Sequence, residues 1–196
     1  MTATRNMTRI SYKISWDEMD YIRDYRAQVP TPRDHSPEYI YFNVYDLPER
    51  KKAALPDMFE ITGGLIVISQ RFHDLLQDFD LGKTQLFEVP LYENNQKDRR
   101  PGTYYILHIG EQKSSFLPDE STGIRAHGSG DTLNWDSYAG EDKLALSRDA
   151  ALAGVDLWME AKMGDRIFFS DRLKSAIKNH KIKAASLKMR PCKLVG

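Results

Sequence analysis

The sequence holds a single cysteine, Cys192, in 196 residues. An intramolecular disulfide is excluded, and so is a zinc site built from several thiolates. Long apolar runs are also missing. None approaches the ~20 residues that a membrane-crossing helix needs. The first residues, MTATRNMTRISYKISWDEMD, carry basic side chains but no apolar stretch, so no secretory signal is read there and a cytoplasmic location is expected. There is no overall excess of charge either: 28 basic residues balance 28 acidic ones. That argues against nucleic acid as a partner. Catalytic signatures are absent. The five histidines (His35, His73, His108, His127 and His180) form no His-Glu-x-x-His pair, and there is no Gly-x-Ser-x-Gly elbow or phosphate-binding loop. No catalytic residue, metal or cofactor is assigned.

What is present suits a packed domain. Hydrophobic residues make up 41% and charged residues 29% of the chain. The length fits a single domain over 1–196, with a less regular part at 1–55. Charge is unevenly placed. Residues 171–196 hold eight basic side chains against Asp171 alone, a net of +7, which the first 170 residues offset. Between Glu111 and Glu160, ten acidic residues face Lys113, Arg125, Lys143 and Arg148, a net of −6.

Along the chain, residues 20–39 carry Pro30, Pro32 and Pro37 and read as a loop. In YIYFNVYD, Ile40, Phe42 and Val44 alternate with Tyr39, Tyr41, Asn43 and Tyr45, the pattern of a strand. LPERKKAALPDMF reads as a short helix or turn between Pro48 and Pro56.

Then comes a unit that occurs twice. In GGLIVISQRFHDLL, the run 65–68 suits a buried strand. Ser69 is placed to cap a helix, and Phe72, Leu75, Leu76 and Phe79 fall on one helical face. Gly82 is expected to end that helix. A strand TQLFEVPLY follows, stopped by Pro90, and then TYYILHIG, a strand able to hold the sheet together. After GVDLWMEAKMGD, a strand leading to a turn at Gly164, the unit returns as GDRIFFSDRLKSAI. RIFF is its strand, Ser170 its cap, and Leu173, Ala176, Ile177 and His180 its helix face. AASLKM is the closing strand, and Pro191 falls where Pro90 fell. Two strand–capped helix–strand units in pseudo-repeat predict an α+β fold with a mixed sheet.

Each unit places an arginine, Arg71 or Arg172, in the first helical turn, where the macrodipole disfavours a cation. Asp171 offsets this in the second copy, whereas Gln70 does not in the first. Arg71 is therefore expected to act as a structural clamp on a carboxylate or carbonyl elsewhere. His73 is expected to face solvent beside Asp74. HGSGD, His127 to Asp131, is the most enzyme-like stretch, and it reads first as an acidic loop. Trp16, Trp135 and Trp158 read as packing residues, with Trp135 also a candidate anchor among loop acids.

Gly63, Gly64, Ser69 and Arg71, followed by FHDLLQDFDLGKTQLFEVPLY, resemble the α+β immunity-protein family of bacterial polymorphic toxin systems, which carries a GG motif, an SxR motif and characteristic Trp and Phe residues. LWMEAKMGDRIFFSDRLKSAI is similar to the closing segment of such domains, with Trp158 as the tryptophan. The resemblance covers about 60–196. It implies a binding protein rather than an enzyme, with a cognate toxin as partner and Gly63, Gly64, Ser69, Arg71, Trp158, Ser170 and Arg172 as scaffold. The toxin surface is expected at Asp119, Glu120, Trp135, Asp136 and Tyr138, acidic and aromatic, to meet a basic cleft. The basic tail is the rival surface, and a second copy of the chain a further candidate partner. The alternatives are a generic interaction module and a small hydrolase using the His127–Asp131 loop.

Overall fold

The computed structural model describes residues 2–3, 10–13, 18–42, 55–93, 95–130, 134–137, 143–163, 166–184 and 187–196. Its elements, in chain order, are β1 (Thr2–Ala3), β2 (Ile10–Lys13), α1 (Glu18–Arg26), β3 (Tyr39–Phe42), β4 (Met58–Glu60), β5 (Ile66–Ser69), α2 (Gln70–Leu76), β6 (Gln85–Val89), β7 (Leu91–Tyr92), β8 (Tyr104–His108), β9 (Gln112–Lys113), β10 (Ile124–His127), β11 (Asn134–Ser137), β12 (Ala145–Ser147), α3 (Arg148–Leu152), β13 (Leu157–Glu160), β14 (Ile167–Phe169), α4 (Asp171–Asn179), β15 (Leu187–Lys188) and β16 (Lys193–Val195). Both parallel and antiparallel pairings occur, and the fold is α+β, as expected.

The central sheet has the order β4-β5-β8-β6, all antiparallel. Its strands are apolar on both faces because both faces are covered. Val67, Ile106, Phe87 and Val89 point to one side, where they meet Tyr21 and Ile22 of α1 and Ile40 and Leu91 of the β2-β3-β7 sheet. Ile68 and Leu107 point to the other, where Phe72, Leu75 and Leu76 of α2 and Leu173 and Ile177 of α4 cover them. A third cluster gathers Leu144, Leu146, Ala151, Trp158, Met163 and Phe168 around β12–β14. The expectation that TYYILHIG ties the sheet together holds: β8 sits between β5 and β6.

Gly63 and Gly64 form the turn of the β4–β5 hairpin, with φ of 80° and 82°. Nothing lies within 4 Å of a Cβ placed on Gly64, so the backbone angle, not crowding, calls for glycine there. Ser69 and Ser170 both cap as predicted, Oγ accepting from Phe72 N at 3.3 Å and from Leu173 N at 3.1 Å.

The repeat goes deeper than the serines. Each capped helix follows a hairpin, and the residue just before the hairpin's first strand is an aspartate. Ser69 Oγ donates to Asp57 at 2.8 Å, and Ser170 Oγ to Asp156 at 2.5 Å. Arg71 then donates to Asp57 (3.3 Å) and to the carbonyl of His180, at the end of α4. Arg172 donates to Asp156 and, at 3.5 Å, to the carbonyl of Asp78, just past α2. Each arginine thus reaches the carbonyl end of the other unit's helix, which offsets its position at the positive end of its own. The aspartates close the exchange, Asp57 accepting from Lys183 N at 2.8 Å and Asp156 from Asp80 N at 3.0 Å. Ser69→Ala and Ser170→Ala are each expected to lower stability by about 1 kcal/mol in urea denaturation. A clear loss at only one serine would contradict the equivalence of the two units.

Several expectations need correction. Residues 20–26 are not loop but belong to α1, because Tyr21, Ile22 and Tyr25 bury a narrow stripe against the sheet. The prolines shape only the segment beyond the helix, from Pro30 onward. The end of LPERKKAALPDMF is strand β4 rather than helix or turn, and residues 43–54, with Val44 and Tyr45, lie outside the described residues. Gly82 does not end α2. The helix stops at Leu76 and its last carbonyls are taken by a tightened turn, Gln77 to Phe79, leaving Gly82 (φ 53°) to a later turn. The closing strands are not equivalent, since β6 joins the central sheet whereas β15 pairs with β1. His180 is exposed and plays no part in the α4 core face. His73 lies beside Asp74 as expected, with Nδ1 3.2 Å from its carboxylate, but it does not face solvent freely: its ring is half-buried, stacked on Tyr105 at 4.0 Å. Trp16 and Gly164 lie outside the described residues.

Candidate functional site

Phe116, packed on the third core cluster, meets Trp135, and Lys193, next to the cluster's Leu194, meets Glu120; Trp135 and Glu120 are two of the residues expected on a toxin surface. The floor of the cluster is Trp158, 4% exposed, stacked on Phe168 with ring centroids 5.8 Å apart. The indole N–H donates to Glu160 at 2.9 Å. Glu160 is itself buried and also accepts from Ser115 N (2.8 Å), Phe116 N (3.1 Å) and the Ser115 hydroxyl. Lys113 lies over the Trp158 ring at 3.9 Å and donates to the carbonyls of Ala151 (2.9 Å) and Ala153 (2.7 Å), where α3 ends. Burial pulls the Lys113 ammonium below its ordinary value, and Glu160, Asp156 and Glu111 pull the other way. Sequence reasoning singled out Trp158 and missed Glu160, Ser115 and Lys113. A signal existed for one of them: Trp158 and Glu160 are two apart on a strand, hence on one face, and a buried indole N–H needs an acceptor.

Above this floor, Asp119 and Glu120 are exposed on the 3₁₀ turn Pro118–Glu120. Ser121 fixes the turn, its hydroxyl donating to Leu117 O (2.7 Å) and accepting from Ala145 N (2.9 Å). Trp135 and Asp136 lie on β11, paired with β10 so that Trp135 faces Ala126 and Asp136 faces Arg125. Trp135 is half-buried, its ring edge-on to Phe116 at 6.1 Å, so it is packed at the margin of the cluster rather than fully exposed. Phe116 joins these parts, since its N–H is held by Glu160 and it pairs with Leu146 of β12. Tyr138 lies outside the described residues, as does Asp131 of HGSGD. His127 ends β10, exposed, across from Asn134.

The acidic surface is not purely acidic. Lys193 of β16 donates to Glu120 at 2.8 Å and holds its carboxyl below the ordinary carboxylate range. The basic tail and the acidic region, read from sequence as rival surfaces, therefore meet here. Beside them an apolar hollow of about 190 Å³ opens among Leu146, Ala151, Val155, Phe168 and Leu194. Leu152, 65% exposed, stands at its rim. Among the described residues, no three His, Cys, Asp or Glu side chains are placed to hold a metal ion, and no helix is long and apolar enough to cross a membrane.

The arrangement offers anchored loops and a mixed polar and apolar face, which suits contact with another macromolecule. No curated protein matches the chain. A family model described as an immunity protein family, Imm11, matches residues 2–190, so the relationship takes in the N-terminal part as well as the region from 60 onward. The chain belongs to that immunity protein family.

Proposed function

We propose that this chain binds a cognate bacterial toxin directly and neutralises it in the cytoplasm of the cell that makes both, as the immunity partner of a polymorphic toxin system. The family match over nearly the whole chain carries this reading. The partner would dock on the surface bearing Asp119, Glu120, Trp135 and Asp136, with Tyr138 two residues further along the sequence. Support for that choice is the exposure of Asp119 and Glu120 and the rigid base that Glu160 gives to Phe116 and Trp135. Lys193 tempers the negative charge of Glu120, so among the described acidic side chains complementarity to a basic cleft falls chiefly to Asp119. The reading implies inhibition by binding, with no catalytic turnover.

The test is co-expression with the product of the neighbouring gene. Restored growth together with a complex that survives purification is the expected result. A toxic neighbour that this chain neither binds nor suppresses would overturn the proposal. For the surface, Asp119→Lys with Asp136→Lys should slow association about tenfold at low salt and change dissociation much less. An unchanged association rate, with binding lost instead on Leu152→Asp, would move the interface to the apolar hollow.

A further inference from the structure

His108 ends β8 and is fully enclosed. Its ring is surrounded by aromatic rings, Tyr21 edge-on at 6.3 Å, Tyr25 at 5.0 Å and Phe87 at 6.3 Å. Nδ1 meets the Thr31 hydroxyl at 3.0 Å. Nε2 is buried and has no hydrogen-bond partner among the described residues. Thr31 is clasped in turn by Gln85, the residue across the ladder from His108. Gln85 Oε1 accepts from Thr31 N and its Nε2 donates to Thr31 O, both at 2.9 Å. The segment after α1 is therefore fastened over the end of β6 and β8, with His108 beneath it. Two more buried oxygens without partners among the described residues, Gln28 Oε1 and Thr84 Oγ1, belong to the same two segments.

We propose that His108 is an acid-sensitive latch: protonation of its imidazole undocks α1 and the 27–36 segment from the sheet while the core under α2 and α4 stays folded.

A charged imidazole has two N–H donors, and this cage offers an acceptor to only one of them. The other would be buried, charged and unsolvated, a costly state. The charged and titratable groups facing the ring are Tyr21, Tyr25 and Asp24 on α1, with Arg33 over Phe87 beyond the β6 side. Among the described residues only Asp24 favours the cation, and Arg23 already engages it at 3.1 Å. Burial lowers the titration of His108 to about 4, with Asp24 opposing. An opened segment exposes the ring, which then titrates near an ordinary histidine value of ~6.5. The closed form is thus fully favoured above ~6.5 and loses ground as pH falls, by up to about tenfold per unit, until the closed form also protonates near 4. Opening also hydrates Gln28 and Thr84. It is confined because α1 packs on one face of the central sheet and α2 and α4 on the other.

Amide hydrogen exchange of the full chain, expressed as protection factors at pH 7.5, 5.5 and 4.5, reads this directly. Protection of residues 18–36 should fall at least tenfold between pH 7.5 and 4.5, with α2 and α4 nearly unchanged. His108→Phe, or His108→Asn should the first not fold, should abolish that fall. Equal protection of 18–36 at all three pH values, loss in step with α2 and α4, or the same fall in the variant would each overturn the latch. An NMR titration of the wild-type His108 ring that remained near 6.5 in the folded protein would do so as well.

Discussion

Glu160→Ala is expected to destabilise the fold by about 3–5 kcal/mol, a cost typical of disrupting a buried charged network. Four donors converge on this carboxylate: the N–H groups of Ser115 and Phe116, the Ser115 hydroxyl and the Trp158 indole. Its truncation takes the acceptor from all four, three of them buried and the Phe116 N–H partly so. For a chain of this size the loss corresponds to a fall in Tm of about 6–20 °C. Glu160→Gln is the informative companion. It conserves shape, but one oxygen becomes an amide NH2 facing donors, whichever way it is turned. Thermal or urea unfolding should therefore find Gln clearly destabilising too. A Gln variant as stable as the wild type would mean that the carboxylate is packed there and not needed as an acceptor. The consequence reaches the proposed toxin surface, because Phe116 supports Trp135 and is itself held by Glu160. On the proposed reading, a chain weakened here should also bind a toxin less well, though no residue of the proposed surface has changed.

The parts of this architecture that sequence alone disclosed are those governed by local rules. A serine followed three residues on by the first buried helical residue is a cap in any context, and Ser69 and Ser170 proved to be caps. Gly63 and Gly64, which the family resemblance implied to be scaffold, both take positive φ. What escaped depends on residues far apart in the chain. Arg71 was recognisable as a cation at the unfavourable end of a helix, but its partners lie 14 residues before it and 109 after it. Asp57 and Asp156 gave no signal of their own, since an aspartate before a strand is ordinary until the hairpin brings it beside a serine. Helix α1 escaped because, among the described side chains, its buried apolar stripe is Tyr21, Ile22 and Tyr25, short enough to be masked by the prolines after it. At the candidate site, exposure of Asp119 and Glu120 was readable, whereas the Lys193 that tempers Glu120 is 73 residues away and arrives by the parallel pairing of β16 with β12.

Asp156→Ala should cost about 2–4 kcal/mol, and Asp57→Ala nearly as much, because each aspartate holds a serine hydroxyl, an arginine and a backbone N–H from the other unit. The two carboxylates are shielded, with side chains 8% and 13% exposed, while their arginines are more than half in solvent. The arginine variants should therefore be the milder ones. Solvent screens their charge, whereas losing an aspartate strands donors that are partly out of water. Burial works against the charge on Asp156, yet Arg172, Ser170 and the Asp80 N–H outweigh it and keep the carboxyl below its ordinary range. This contribution is therefore present at neutral pH and is lost only as strong acid protonates the group, below the window in which His108 acts. Urea unfolding of the four single variants and the two aspartate–arginine doubles separates the cases. If Arg71→Ala and Arg172→Ala prove as damaging as the aspartate changes, the arginines rather than the carboxylates centre the two locks. If Arg71→Ala costs nothing at all, Arg71 is not a clamp. Because each lock joins the start of one helix to the end of the other, loss of either should loosen α2 and α4 together. Hydrogen exchange should show both helices losing protection in Asp57→Ala as in Asp156→Ala, and protection lost only from the helix nearer the substitution would mean that the two units are held independently.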